Sequence, residues 1–324
     1  MDTRAYESMT GREIRELCRS GRFDRPTAGV ALGYAQVNLV VLRAEAAKEF
    51  ENFCRANPQP CPLLEMTAPG DPEPKRMAPG SDVRSDLPRY RVLRNGECID
   101  RPTALTAYWP DAISPSPFQG EGRGEGPIAG FTPHPTLSFQ GERGLQATPQ
   151  QERGLQAGSE GRGDDFVAFL IGCSFTFEAA LLKAGVPVRH IEEGKNVPMY
   201  RTNRVCTPAG RFHGPMVVSM RPMTPEHAEL ATKITAAFSR VHGAPIHSGN
   251  PAAIGITDLN RPDYGDAVSI RRSEVPVFWA CGVTPMEAIL RAKLDMAIVH
   301  EPGHMLVTDI SDGSLRDTPH GGLA

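Results

Sequence analysis

The sequence predicts an α/β protein, on three observations. Two apolar runs, Phe166–Gly172 and Val275–Ala280, each end in a cysteine and pass into a segment of helical period. An early stretch from Ala35 to Met66 reads as strand, helix, strand. Strands and helices then keep alternating to the last apolar run, Met296–His300. The expected architecture is a layered, mixed-sheet main domain with a second, smaller α+β domain. The main domain is assigned to residues 1–204 plus 273–324 and the smaller one to 205–272, with a low-complexity insertion at 112–163.

Taken in order, Thr10 to Phe23 reads as a short charged helix with Ile14, Leu17 and Cys18 on one face. Ala35–Leu42 is a strand, and Ala44–Asn57 a helix whose apolar positions Ala46, Phe50 and Phe53 follow the 3.6-residue repeat. Proline crowds the chain after Asn57, so helix is excluded there and Leu63–Met66 becomes a short strand. Residues 112–163 repeat one degenerate phrase rich in Gly, Pro, Gln and charge. Such a segment has too little apolar surface to offset its ordering entropy, so disorder is expected. Met216–Arg221 reads as a strand, and Thr224-Pro225 caps a helix reaching about Val241. Thr284, Pro285 and Glu287 together spell an N-cap, a proline at the first helical position and a capping box, so a helix is expected from Pro285. Ser174 or Thr176 is the corresponding cap of the helix after Cys173. The tail after Asp312 is polar.

Composition narrows the function classes. With 324 residues, 40% of them hydrophobic, the chain can bury a substantial core. A net charge of -3 without a basic stripe excludes nucleic acid as a partner. No apolar run has membrane-spanning length and the N-terminus lacks a secretory pattern, so no membrane partner and a cytoplasmic location are expected. Seven cysteines without a CxxC pair fit neither a disulfide framework nor a zinc ribbon, and reduced thiols follow. The expected partner is a small acidic molecule, with assembly as a homo-oligomer.

The two cysteine junctions are the leading site candidates. Cys173 is followed by Ser174 and Thr176, and Cys281 by Thr284; a histidine follows each helix, His190 and His300. A thiol just before a helix start feels the positive end of the helix dipole, which lowers a thiol pKa. Packing in the core is the competing reading, since free cysteine is among the most buried residue types. Arg201 and Arg211, with Asn203, stand in turn-like segments where a guanidinium fork can grip a carboxylate, and Thr284 joins them as a substrate-binding candidate. His213 and His304 are the acid/base candidates. His300 and His304 are four apart, yet Pro302 and Gly303 argue against a helical zinc pair, so no metal ligand is assigned. No phosphate loop occurs. No cofactor is expected, with a divalent metal left open.

Several long phrases then carry a resemblance: Cys61–Pro74, Ser85–Val92, Phe169–Glu178, Val197–Asn203, Gly210–Pro222, Val277–Pro285 and Pro302–Met305. Together they resemble the hydro-lyase family that includes the D-glutamate cyclase domain. The resemblance runs from about Gly29 to Asp312 except for the insertion. Leu32, where the family pattern suggests proline, is a minor departure. The resemblance implies a two-part α/β architecture and conversion of D-glutamate to 5-oxo-D-proline with loss of water. It assigns no catalytic residue, so Cys173, Ser174, His213, Cys281 and His304 remain candidates on their own chemistry. Two alternatives use the same residues: a cofactor-independent racemase or epimerase with Cys173 and Cys281 as its two thiols, and a non-catalytic carboxylate-binding accessory protein.

Overall fold

The computed structural model describes residues 4–110 and 165–317. The predicted insertion lies outside the described residues. The first helix, α1 (Gly11–Arg19), starts at a reciprocal cap: the Glu13 amide donates to Thr10 Oγ1 at 3.3 Å and the Thr10 amide donates to Glu13 Oε2 at 2.7 Å. It buries Ile14 and Cys18, two of the three predicted positions, while Leu17 is half-buried.

Strand β1 (Tyr34–Arg43) is the spine of the main sheet. Residues Ala35 to Leu42 are all buried, because both of its edges are paired and both of its faces are covered. Helix α2 (Ala44–Ala56) follows and lays Phe50 and Phe53 into the core, Phe50 meeting Phe169 edge-on at 4.9 Å. Strands β2 (Leu63–Met66), β3 (Tyr90–Arg94), β4 (Glu97–Asp100) and β5 (Phe166–Gly172) join β10 (Ala297–His300) and β11 (Leu306–Ser311) in a seven-stranded sheet. Its order is β2-β5-β1-β10-β3-β4, with β11 also on β1, beyond β10.

A four-stranded sheet, β6-β7-β9-β8, is built from β6 (Met199–Val205), β7 (Pro215–Met223), β8 (His247–Ser248) and β9 (Val275–Ala280). It takes most of β6 and all of β9 from outside residues 205–272. The α/β class is observed, and every pairing in both sheets is antiparallel. The rule that ligands gather at the carboxyl edge of an open parallel sheet therefore gives no guidance here. Helices α3 (Phe175–Lys183), α4 (Arg189–Glu192), α5 (Pro225–Ala236) and α6 (Thr284–Ala292) fill between and around the sheets. One apolar core runs through both: Phe50 on α2 meets Phe212, just before β7, at 5.1 Å, and Phe53, Phe169, Val217 and Met286 belong to the same cluster. None of the helices among the described residues is long and apolar enough to cross a membrane.

The helix starts correct two sequence readings. Thr224 caps α5 as expected, accepting from the His227 amide at 3.3 Å, but the helix stops at Ala236 and the chain turns at Phe238. Helix α6 begins at Thr284 itself, after Val283, and the capping box is not formed. The Thr284 hydroxyl instead accepts from the Val217 amide at 2.9 Å and donates to the Val217 carbonyl at 3.3 Å, tying α6 to β7. Ser174 precedes α3 without a side-chain capping bond, and the Thr176 hydroxyl bonds the backbone of Gln36.

Two buried histidines give the fold an acid limit. Burial pushes the imidazoles of His242 and His300 down to about 4, from an ordinary 6.5. The unfolded chain then binds more protons than the folded one between pH 6.5 and 4, so stability is complete above that window and falls as the pH drops through it. Each histidine contributes about 3 kcal/mol across the window at most. Urea midpoints measured from pH 7 to 4.5 are expected to fall steadily; a flat profile would contradict the neutral, buried assignment.

Candidate functional site

The two cysteine junctions, one from each sheet, meet at Asn38 on β1. Its side-chain amide donates to the carbonyls of Gly172 at 2.7 Å and Ile171 at 3.2 Å. A Cβ on Gly282 would lie 1.9 Å from the same nitrogen, so only glycine lets the second junction approach this closely. Both thiols are buried. Burial raises each of them, Cys281 to about 11 and Cys173 further, where a Cys281 thiolate nearby would also oppose ionisation. The Phe175 and Val283 amides partly oppose that rise. These are the properties of packed thiols rather than of thiolate bases.

Beside them lies a buried charge network. Arg221, near the end of β7, is fully buried between the rings of Phe177 and Trp279, its guanidinium carbon 5.4 Å from each centroid. It donates to Glu178 Oε1 from Nε at 3.0 Å, to Ser174 Oγ from Nη2 at 3.0 Å and to Ser219 Oγ from Nη1 at 3.0 Å. Glu178 comes from α3. His190, on α4, brings Nε2 to 3.1 Å from Glu178 Oε1, close enough for an ionic contact but off the direction of a hydrogen bond. Burial pushes the Glu178 carboxyl up, yet His190 and Arg221 outweigh it and hold the group below its ordinary value. Phe175 stacks on the His190 ring at 6.0 Å and fixes its plane.

His190 also forms part of the wall of a small pocket of about 90 Å³, with Arg25, Ala28, Lys195, Asn196 and Asp266. Arg25 and Pro26 are shared with a cleft of about 570 Å³ that includes Arg89, Arg101, Glu301 and His304. Most cations here are neutralised: Arg91 pairs with Glu301, Arg101 lies 3.4 Å from Glu301 and Arg89 lies 3.3 Å from Asp24. Arg25 is the exception. It rests over the rings of Tyr6 and Phe23, at 5.7 and 5.9 Å, and has no carboxylate partner among the described residues. Opposite it, Asn196 donates to the Pro302 carbonyl at 3.0 Å while its buried Oδ1 has no partner among the described residues. Gly303 packs on that side chain with φ +86°, a backbone conformation that suits glycine, and so sets the turn leading to His304. Burial lowers the His304 imidazole below its ordinary value.

The sequence candidates divide accordingly. Cys173, Ser174, Cys281 and Thr284 gather at the junctions, with Ser174 in the Arg221 network and Thr284 bonded to β7. His304 lines the larger cleft. Arg201 is held by Asp263 at 2.6 Å, Glu287 at 2.7 Å and the Tyr264 hydroxyl at 2.9 Å. Arg211 is exposed and bonded to Glu49 at 3.1 Å. His213 and Asn203 are exposed, Asn203 packing against Gly255. None of these four lines the pocket or the cleft. The sequence notes His190 beyond the first cysteine junction without giving it a role, and it assigns no role to Arg25, Glu178 or Arg221. A charge inside an apolar run is the signal that could have found Arg221 within Val217–Met223 and Glu178 within Phe175–Leu182. Among the described residues, no group of three His, Cys, Asp or Glu side chains is arranged to hold a metal ion.

The chain is similar to known proteins along nearly its whole length. The D-glutamate cyclase family model matches residues 167–309, which include Glu178, His190, Asn196, Arg221 and His304. A protein of Stutzerimonas stutzeri described as "Putative hydro-lyase" is 46% identical over 97% of this chain and 99% of its own. YcsI of Bacillus subtilis, with the same description, is 46% identical over 95% of this chain and 99% of its own. A third so described, from Rubrobacter xylanophilus, is 46% identical over 93% of this chain and 95% of its own. With relatives this similar along nearly its whole length, the chain belongs to the hydro-lyase family that carries the D-glutamate cyclase domain.

Proposed function

We propose that the protein converts D-glutamate to 5-oxo-D-proline with loss of water, in the pocket between Arg25 and His190. The observation that carries this reading is a pocket wall that joins Arg25 and Asn196 to a histidine backed by a buried carboxylate, where among the described residues the Arg25 guanidinium has no ion pair and the buried Asn196 Oδ1 no hydrogen bond. An amino acid offers the complementary groups, a carboxylate for Arg25 and an ammonium for Asn196 Oδ1.

Ring closure needs the amine free of its proton and close to the γ-carboxyl carbon. His190 takes a proton from the ammonium, and Glu178, anchored by Arg221, stabilises the imidazolium that forms. The amine then attacks the γ-carboxyl carbon. One carboxylate oxygen leaves as water with the two hydrogens that the nitrogen gives up, so atoms and charge balance. Holding both ends of a flexible substrate supplies much of the rate, by making the closure intramolecular within one bound conformer. The raised Cys173 and Cys281 thiols weigh against the two-thiol racemase, which needs a thiolate at neutral pH.

Proton NMR of the protein with D-glutamate in D₂O tests the reading. The expected result is 5-oxoproline appearing without exchange at the α-carbon; exchange without ring closure would favour the racemase, and neither product would overturn the substrate assignment. Arg25→Gln is expected to raise KM about tenfold or more, with a smaller change in kcat, because a carboxylate contact present in both ground and transition state is lost. An unchanged KM removes Arg25 from the site.

A further inference from the structure

A cleft of about 910 Å³ shares no lining residue with the His190 pocket or the His304 cleft. It runs along β2, the terminal strand of the seven-stranded sheet, and Pro58, Pro62, Leu63 and Met66 give it an aliphatic wall. Arg76 and Arg240 line it as well. Both are exposed, and neither guanidinium has an ionic partner among the described residues. The neighbouring charges are already engaged: Arg55 pairs with Glu51 at 2.6 Å, and the Glu65 carboxylate accepts from the amides of Arg76 at 2.9 Å and Met77 at 2.8 Å. The cleft therefore combines an aliphatic strip with two cations that have no ion pair among the described residues.

We propose that this cleft is a second ligand site, for a medium-chain aliphatic anion whose acidic head meets Arg76 and Arg240 while its chain lies along Leu63 and Met66. Its volume falls in the range of small-molecule sites. Guanidinium forks suit a carboxylate or phosphate head. Among the described residues the wall has no Phe, Tyr or Trp and its imidazole, His242, is fully buried, so a nucleobase finds no exposed ring to stack on, whereas a flexible methylene chain matches the proline and leucine surface. Each methylene buried there strengthens binding by about fourfold.

Titration calorimetry on the full chain with hexanoate, octanoate and decanoate, below their micellar concentrations, tests this. Affinity is expected to rise two- to fourfold per methylene, decanoate is expected to bind at least tenfold more tightly than decanol, and D-glutamate is expected not to displace it. The surface variant Arg76→Gln/Arg240→Gln is expected to remove the advantage of decanoate over decanol. Decyl phosphate in parallel identifies the preferred head, the tighter of the two anions naming it. Equal binding of decanoate and decanol, no binding by either anion, displacement by D-glutamate, or a double variant that binds decanoate unchanged would each overturn the proposal.

Discussion

Replacing Glu178 with leucine is expected to destabilise the protein by about 3–5 kcal/mol, enough to remove much of the stability of an ordinary domain. The reason is the position of Arg221 rather than the worth of the ion pair. Arg221 is fully buried, sandwiched between Phe177 and Trp279, and Glu178 Oε1 is its sole carboxylate contact in the network. Without it the guanidinium remains in an apolar interior with only the Ser174 and Ser219 hydroxyls to accept from it. Removing both charges is a different matter, because two apolar residues of similar volume need no desolvation. Glu178→Leu/Arg221→Met is accordingly expected to recover most of the lost stability in urea unfolding, yet to stay inactive because His190 has lost its counter-charge. Recovery of turnover in the double variant would show that the network serves the fold alone.

How much of this could be read from the sequence depends on the distance over which each feature is decided. Local periodicity was sufficient for α2, where Phe50 and Phe53 are spaced for one helical face, and for β5, whose uninterrupted apolar run is buried on both faces. Thr10 with Glu13 is a capping box in the structure. The same motif at Thr284 and Glu287 is not, because the hydroxyl of Thr284 is bonded to Val217 on a strand 67 residues away. The Glu287 carboxylate is likewise taken, by Arg201 and Tyr264. Arg201 and Arg211 looked available as substrate anchors for a related reason: Asp263 and Glu49, which occupy them, lie 62 and 162 residues away. A residue type shows what a side chain can bind, and only the fold shows whether that capacity has already been satisfied. Arg25 reads as an ordinary surface arginine in sequence, and it becomes a candidate because the folded chain gives it aromatic neighbours and no ion pair among the described residues.

His190→Asn is expected to lower turnover of D-glutamate by about 10²–10⁴-fold, the usual span for loss of a positioned acid/base group. The substitution leaves a polar side chain of smaller size beside Glu178 and is not expected to unfold the protein. Thermal unfolding that matches the parent chain would exclude collapse of the network as the cause. A separate readout distinguishes proton transfer from mere support of Glu178. If His190 carries the proton, added imidazoles restore part of the turnover of His190→Ala, and more so the more basic they are, which mere support of Glu178 would not produce. The alternative proton carrier is His304, at the other side of Arg25 in the 570 Å³ cleft. His304→Asn is expected to cost less, since no buried carboxylate stands behind it to stabilise the charged ring. Glu301 beside it is already held by Arg91 and Arg101. The reverse order, with His304→Asn abolishing turnover and His190→Asn retaining it, would move the chemistry out of the small pocket and into the open cleft, with Arg25 still on its wall.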